Sequence, residues 1–434
     1  MPSIAVVVLD SLRHDHFVDA FDWLPGRHFA RAYATSHWTI PSHASLYTGR
    51  YPSEVGVHAK SPALDVEDAT LAERLAAAGY HTRLWTAQPQ IFMWDGWTRG
   101  FAEAVSPATL DPRADGTFDW TAFQAASDHT GARQYLSAVW ACLRSERPTV
   151  PSLRNGVRLL RRSPADGGAA ALLKRLRTTT FGPDEFLFAN LMDAHIPYYP
   201  PTPGGDPVSV TSGHGFADAV TDPDHVRSAY AASVEVLASR YRAVYDELAS
   251  SFDYVVTCAD HGELLGERGL WNHGYGLLPE LIHVPLVVSG RDVDDETVEA
   301  TVGLLDVHRT VVELTGVAAP SRGQSLLGDP EPRPQLFEYH GFVPWMREQF
   351  ARFEALPSSF FAARDPPRNG FVTPDGVYAY ETHPDGLVVE GGSMADPAGH
   401  LAALREPLDA RTVRGRSSGP TEGVRRQLEQ LGYA

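Results

Sequence analysis

Ile4-Ala5-Val6-Val7-Val8-Leu9-Asp10-Ser11 carries the clearest indication of fold class in the chain. An unbroken apolar run, rich in β-branched residues, is the pattern of a strand buried on both faces, as in a parallel sheet. Here the run ends on an acid. Outward from it, residues 70–78 read as a helix stopped by Gly79, and 81–87 as the next strand. Residues 185–192 form another apolar run. From about Asp224 to Ser250, apolar residues recur at helical spacing (Val226, Tyr230, Val234, Leu237, Tyr241, Val244, Leu248). Residues 252–258 and 284–289 read as strands, and 305–314 as a helix closed by Gly316. This alternation predicts an α/β fold whose sheet is parallel or mixed and carries helices on both faces. Chemistry in such sheets sits just beyond the C-terminal strand ends.

Composition bounds the rest. A chain of 434 residues, 43% of them hydrophobic, has ample core. It is neither disordered nor a polytopic membrane protein. Its length predicts one large unit with a smaller appendage. The rise in Pro, Gly and Arg after about residue 320 divides it into a main domain over 1–320 and a small C-terminal subdomain over 321–434, with short strands over 370–380 and 387–390. Residues from about 104 to 180 read as a helical insertion. With 37 Lys and Arg against 54 Asp and Glu, the net charge is −17, so no nucleic-acid partner is expected. Cys142 and Cys258 cannot build a disulfide framework. No stretch approaches the roughly 20 apolar residues of a membrane span, and the opening run lacks a basic flank, so a cytoplasmic location is expected. Within the insertion, 144–177 carries nine cations (Arg144, Arg147, Arg154, Arg158, Arg161, Arg162, Lys174, Arg175, Arg177) against Glu146 and Asp166. That segment reads as a solvated face, or as a holder of an anionic substrate or membrane surface.

Acids and hydroxyls cluster at strand ends. Asp10 follows the first run. Trp38-Thr39-Ile40-Pro41-Ser42-His43 opens a helix-compatible segment, which puts Thr39 where free amides and the dipole favour an anion or a deprotonated oxygen. Asp260-His261-Gly262-Glu263 follows the run ending at Cys258, and carboxylate plus imidazole is a ligand set for a borderline divalent ion. Each has an ordinary structural counterpart, such as a helix cap or a satisfied core histidine.

Together these blocks, with Asn190-Leu191-Met192-Asp193-Ala194-His195-Ile196-Pro197-Tyr198 and Trp271-Asn272-His273-Gly274, resemble the sulfatase branch of the alkaline-phosphatase-like superfamily over about residues 3–320. The resemblance implies an alkaline-phosphatase-like sandwich: a central, mostly parallel sheet flanked by helices, plus a small C-terminal α+β subdomain. Arylsulfatases carry Cys or Ser before x-Pro-Ser-Arg, the Cys being converted to formylglycine. Thr39 stands in that place here, and His43 in the arginine's. The family's sulfate-binding Lys and His are missing from Thr86-Ala87-Gln88-Pro89. In this the chain is similar to threonine-nucleophile members such as lipoteichoic acid synthases and phosphoethanolamine transferases. Those are membrane-anchored.

Carried over residue by residue, the resemblance implies that Asp10, Thr39, Asp260 and His261 hold one divalent ion. Mn²⁺ or Zn²⁺ is favoured by the mixed ligand set, with Ca²⁺ and Mg²⁺ left open. A second ion is not expected, because Asp193-Ala194-His195 lacks the Asp-x-x-x-His spacing. Thr39 becomes the nucleophile, His195 and His273 the substrate-oxygen and leaving-group histidines, and His43 a substrate-binding residue. The function implied is a metal-dependent hydrolase of phosphate esters, diesters or phosphonates above all, through a covalent Thr39 ester. Alternatives are a sulfuric ester hydrolase lacking formylglycine, a phospho-alcohol transferase to glycan or lipid, and a catalytically silent member. The partner is an anionic ester, glycan- or lipid-linked. Oligomeric state is left open.

Overall fold

The computed structural model describes residues 1–107, 110, 116–118, 120, 123, 132–160, 167–199, 206–343, 346, 350 and 356–411. Arg161, Arg162 and Asp166 of the basic segment, and the end of the expected C-terminal subdomain from 412, lie outside the described residues. The main sheet contains β1 (Ile4–Leu9), β2 (Arg27–Tyr33), β3 (His81–Thr86), β4 (Glu103–Val105), β5 (Glu185–Leu191), β6 (Tyr254–Cys258), β7 (His283–Val284), β8 (Leu286–Gly290) and β9 (Glu296–Gly303). Its order is β4-β3-β5-β1-β6-β8-β2-β7, with β9 paired to β2.

The α/β fold read from the sequence is the observed one, with a mixed sheet. From β4 to β6 all neighbours are parallel; β8 then runs antiparallel to both β6 and β2. β1 sits between β5 and β6 and every one of its residues is buried, as its uninterrupted apolar run requires. The registers Leu9↔Leu191, Val8↔Cys258 and Thr86↔Asn190 bring the C-terminal ends of β1, β3, β5 and β6 to one rim.

The single strand expected over 284–289 is divided. Pro285 has no N–H to give the ladder, so His283–Val284 pairs with β2 while Leu286–Gly290 pairs with β6 and β2. The long helix spans Pro223–Ser251 and starts on Asp222, whose side chain accepts from the His225 N–H. The insertion contains helices Ala132–Arg144, Thr149–Leu160 and Ala169–Thr178.

After residue 320 the chain forms an antiparallel sheet of β10 (Gln335–Tyr339), β11 (Arg368–Val372), β12 (Tyr378–Thr382) and β13 (Gly386–Glu390), with the helix Pro397–Arg405. The run expected as one strand over 370–380 turns back at Asp375-Gly376, where Gly376 takes φ 92°, a left-handed conformation natural to glycine. One face of this sheet (Phe337, Tyr378, Tyr380) joins the main core. The other (Leu336, Phe371, Ala379) packs with Leu401, Tyr51 and Leu305.

Glu338, on β10, ties the small sheet to the short helix Pro52–Val55. Its buried carboxylate accepts from Ser53 N at 2.8 Å, Ser53 Oγ at 2.6 Å and His340 Nε2 at 3.1 Å. Burial pushes this carboxyl up, but those hydrogen bonds outweigh it and hold it below the ordinary glutamate value. Glu338→Ala is therefore expected to cost about 1–3 kcal/mol, measured by urea unfolding at neutral pH. A depressed folded-state pKa stabilises above the unfolded value, about 4.3, and that contribution is lost as pH falls through the folded one. The gap between wild type and variant should close accordingly in acid.

Candidate functional site

Four parallel strand ends supply the cluster. Asp10 follows β1, and its N–H donates to Leu191 O at 2.9 Å, extending the β1–β5 ladder by one bond. Ser11 then takes φ 60°, a strained value for a non-glycine residue, and turns the chain away from the rim. Asp260 and His261 follow β6. Asp193 and His195 follow β5, and Gln88 follows β3. From the facing side, the helix Thr39–Thr48 points its first residue at the rim. Trp38 is the N-cap, so Thr39 is free of a capping role.

The structure brings Asp10, Asp260 and His261 together, with one ligand atom from each within 4.8 Å of the others and all three fully buried. Thr39 Oγ1 lies 3.5 Å from Asp10 Oδ2 and 3.3 Å from His261 Nε2. With His261 Nδ1 donating to Gly262 O at 2.8 Å, the Nε2 lone pair faces the cluster. It lies 3.7 Å from both Asp10 Oδ1 and Asp260 Oδ2. The Ser11 and His261 N–H groups hold Asp260 Oδ1 at 3.4 and 3.0 Å, whereas the buried Asp260 Oδ2 has no hydrogen-bond partner.

Electrostatics points the same way. Burial, and then the neighbouring Asp10 charge, push the Asp260 carboxyl well above its usual range. Burial also raises Asp10, but the His195 and His261 imidazoles and the Gln88 hydrogen bond outweigh it, and Asp10 is held low. Two carboxylates, one imidazole and one hydroxyl around an unsatisfied oxygen fit a divalent cation, which would relieve the repulsion.

His43, His195 and His273 complete the group. His43 is fully buried, its Nδ1 3.0 Å from Thr39 O and 3.6 Å from Asp260 Oδ2, its Nε2 3.4 Å from Asn190 Nδ2. Burial lowers its pKa to about 4. His195 Nδ1 donates to Ile196 O at 2.6 Å, and its ring centroid lies 5.0 Å from that of His273. His273 Nδ1 faces both Glu263 oxygens at 3.1 Å, and its ring lies 4.6 Å from that of His261. Burial lowers both imidazole pKa values and raises the Glu263 carboxyl to about 7.

Three contributors escaped sequence reasoning as site residues. Gln88 Nε2 donates to Asp10 Oδ2 at 2.9 Å and to Thr39 Oγ1 at 3.3 Å. Asn190 Nδ2 donates to Asp10 Oδ2 at 3.3 Å, and Glu263 orients His273. The available signal for Asn190 was a polar residue inside the apolar run 185–191; for Gln88 it was position, just past the third strand tip.

A family model described as Sulfatase matches residues 21–317, more than half of the chain. The uncharacterized sulfatase YidJ of Escherichia coli is 24% identical over 112 residues, 22% of each chain. The low-salt glycan biosynthesis sulfotransferase Agl7 of Haloferax volcanii is 29% identical over 131 residues, 28% of this chain and 31% of that one. The chain thus matches less than a third of the length of either relative. The phosphonate monoester hydrolase of Silicibacter pomeroyi superposes with a TM-score of 0.59 over 93% of this chain and 94% of that one, at 17% identity, a likeness of fold.

Gly262 sets the His261 position. A Cβ there would lie 2.0 Å from the Glu280 carbonyl oxygen, a backbone atom that cannot step aside. Gly262→Ala is expected to shift the His261 ring and weaken divalent-ion retention about 10- to 100-fold, the scale of outer-shell damage at metal sites. Metal content after dialysis, beside a thermal unfolding midpoint, checks this; full retention would refute it.

Proposed function

The chain belongs to the sulfatase family, and on that premise we propose that it is a metal-dependent hydrolase of singly charged phosphate esters, diesters or phosphonate monoesters, with Thr39 as the nucleophile. The observation that carries this is the buried Thr39 hydroxyl, at a helix start, 3.5 Å from Asp10 and 3.3 Å from His261. A divalent ion held by Asp10, Asp260, His261 and Thr39 would supply a lowered hydroxyl pKa and charge neutralisation of the ester oxygens. Mn²⁺ or Zn²⁺ suits the carboxylate–imidazole set best.

Thr39 enters the reaction with its proton already lost. Its Oγ1 bonds to phosphorus as the bond to the leaving oxygen breaks, giving a covalent Thr39 ester. The leaving oxygen takes a proton from His195 or His273. Burial makes an imidazolium at either place a readier donor than in water. Water, giving its proton to the same imidazole, then attacks phosphorus and frees Thr39. Gln88 and Asn190 hold the Asp10 carboxylate, and His43, with both ring nitrogens turned to protein groups, positions Thr39 and Asp260.

The charge of the site supports the substrate class. Among the described residues, none of the hydrogen-bond and ion-pair partners of Asp10, Thr39, Asp260 and His261 is a lysine or arginine. Uncharged amides, and imidazoles whose charge burial disfavours, suit an ester carrying one negative charge better than a dianionic phosphomonoester.

Thr39→Ala deletes a hydroxyl and a methyl, and is expected to reduce turnover by about 10³-fold or more while the unfolding midpoint stays near wild type; metal retention falls only in part, because Asp10, Asp260 and His261 remain. Bis(p-nitrophenyl) phosphate and a p-nitrophenyl phosphonate should be hydrolysed faster than p-nitrophenyl phosphate or sulfate. Sulfate turnover far above the others would reverse the ranking, and product carrying an added alcohol in place of water would make the enzyme a transferase.

A further inference from the structure

Two helices of the insertion are turned inside out. In Ala132–Arg144, Ala138 and Cys142 face inward, while Leu136, Val139, Trp140 and Leu143 face solvent, Leu136 at 72% exposure. Their three- and four-residue spacing puts these side chains on one face. In Thr149–Leu160, Ser152 and Asn155 are buried while Val150 and Val157 are exposed. A helix of a soluble protein ordinarily turns its apolar stripe to the core.

The same surface is cationic. Arg133, Arg144, Arg147 and Arg154 are exposed, and the Arg144 guanidinium lies 3.8 Å from the Trp140 ring centroid. Between 132 and 160 the sequence has these four and Arg158 against a single acid, Glu146, in a chain of net charge −17.

We propose that this pair of helices seats the protein on an anionic phospholipid surface, its apolar side chains entering the headgroup layer and its arginines meeting lipid phosphates. Exposed Leu, Val and Trp beside Arg are what an interfacial helix needs, and long arginine stems allow the charge to stay at phosphate level. At 13 and 12 residues both helices are too short to span a bilayer, which takes about 20. A two-fold pairing of this patch with a second copy would bring arginine against arginine, which disfavours a dimer. The insertion rejoins the fold at the loop that carries His195: Met192 N–H donates to Gly167 O at 2.7 Å, and Ala169 N–H to Asp193 Oδ2 at 3.0 Å.

The test is co-sedimentation of the full chain with phosphatidylcholine vesicles, with and without phosphatidylglycerol, at low and high salt. Binding is expected only where phosphatidylglycerol is present, and should weaken with salt. Arg144→Glu with Arg147→Glu should lower partitioning by about fivefold or more per arginine removed. Leu136→Ser with Leu143→Ser should lower it as well, and both variants should keep wild-type circular dichroism and hydrolysis of soluble ester. No sedimentation with either vesicle, or sedimentation that the variants leave intact, overturns the proposal. So does a concentration-dependent dimer that the Leu136→Ser, Leu143→Ser variant converts to monomer.

Discussion

Two carboxylates, Asp10 and Asp260, are forced together in a buried pocket by the pairing of β1 with β6, and the surrounding structure answers that constraint. Neither can move away, because each sits just past a strand whose register is locked by an apolar core on both faces. A buried charge without compensation costs several kcal/mol. The rim is accordingly lined with donors: Ser11 and His261 N–H groups for Asp260, Gln88 and Asn190 amides for Asp10. The strained φ of Ser11 belongs to the same arrangement, since that turn aims its N–H at Asp260. One carboxylate oxygen is left over, and a cation is the partner its chemistry asks for.

Thr39 gains its character from this setting. Residues 39–47 are all buried, so the helix that carries Thr39 is fixed by packing along nearly its whole length. A hydroxyl held that way loses little entropy on reaching a reactive position, which is the advantage of a site built on rigid elements. His43, one turn further along, links the helix back to Asp260 and, through Asn190, to β5. The Thr39 hydroxyl, the Asp10–Asp260–His261 cluster and the sheet are therefore one network, and displacement of any member is felt by the others.

Legibility in the sequence followed physical distinctness. β1 was readable because a fully buried strand must be apolar throughout, and its acid stood out against that background. Asp260-His261 was readable for the same reason. Gln88 and Asn190 were not, because uncharged amides serve as cap, turn or surface residues everywhere, and only the alignment of four strand ends gives them a shared target. Within the sheet, β2 (RHFARAY) carries too many polar residues to signal a strand, since parts of it are only half-buried. Pro285 and Asp375-Gly376 each broke an expected strand. Both are local breaker signals that an apolar run of the right length overrides on first reading.

Charge is segregated in this molecule, and segregation bears on how an anionic ester arrives. A net charge of −17 repels anions at long range. Of the cations read in the basic segment, Arg175 is buried, its Nε donating to Leu110 O, and Arg177 is tied to Glu247 at 2.6 Å, so these two belong to the scaffold. Among the described residues, exposed positive charge on the segment is also carried by Lys174 and by Arg144, Arg147 and Arg154; these three arginines, with Arg133 beside them, lie among apolar side chains with no core to fill. A free anion in solution needs only the charge. The combination of charge with an apolar stripe is intelligible when the anion is itself part of an amphipathic surface, where Coulomb attraction and hydrophobic burial act on the same few side chains.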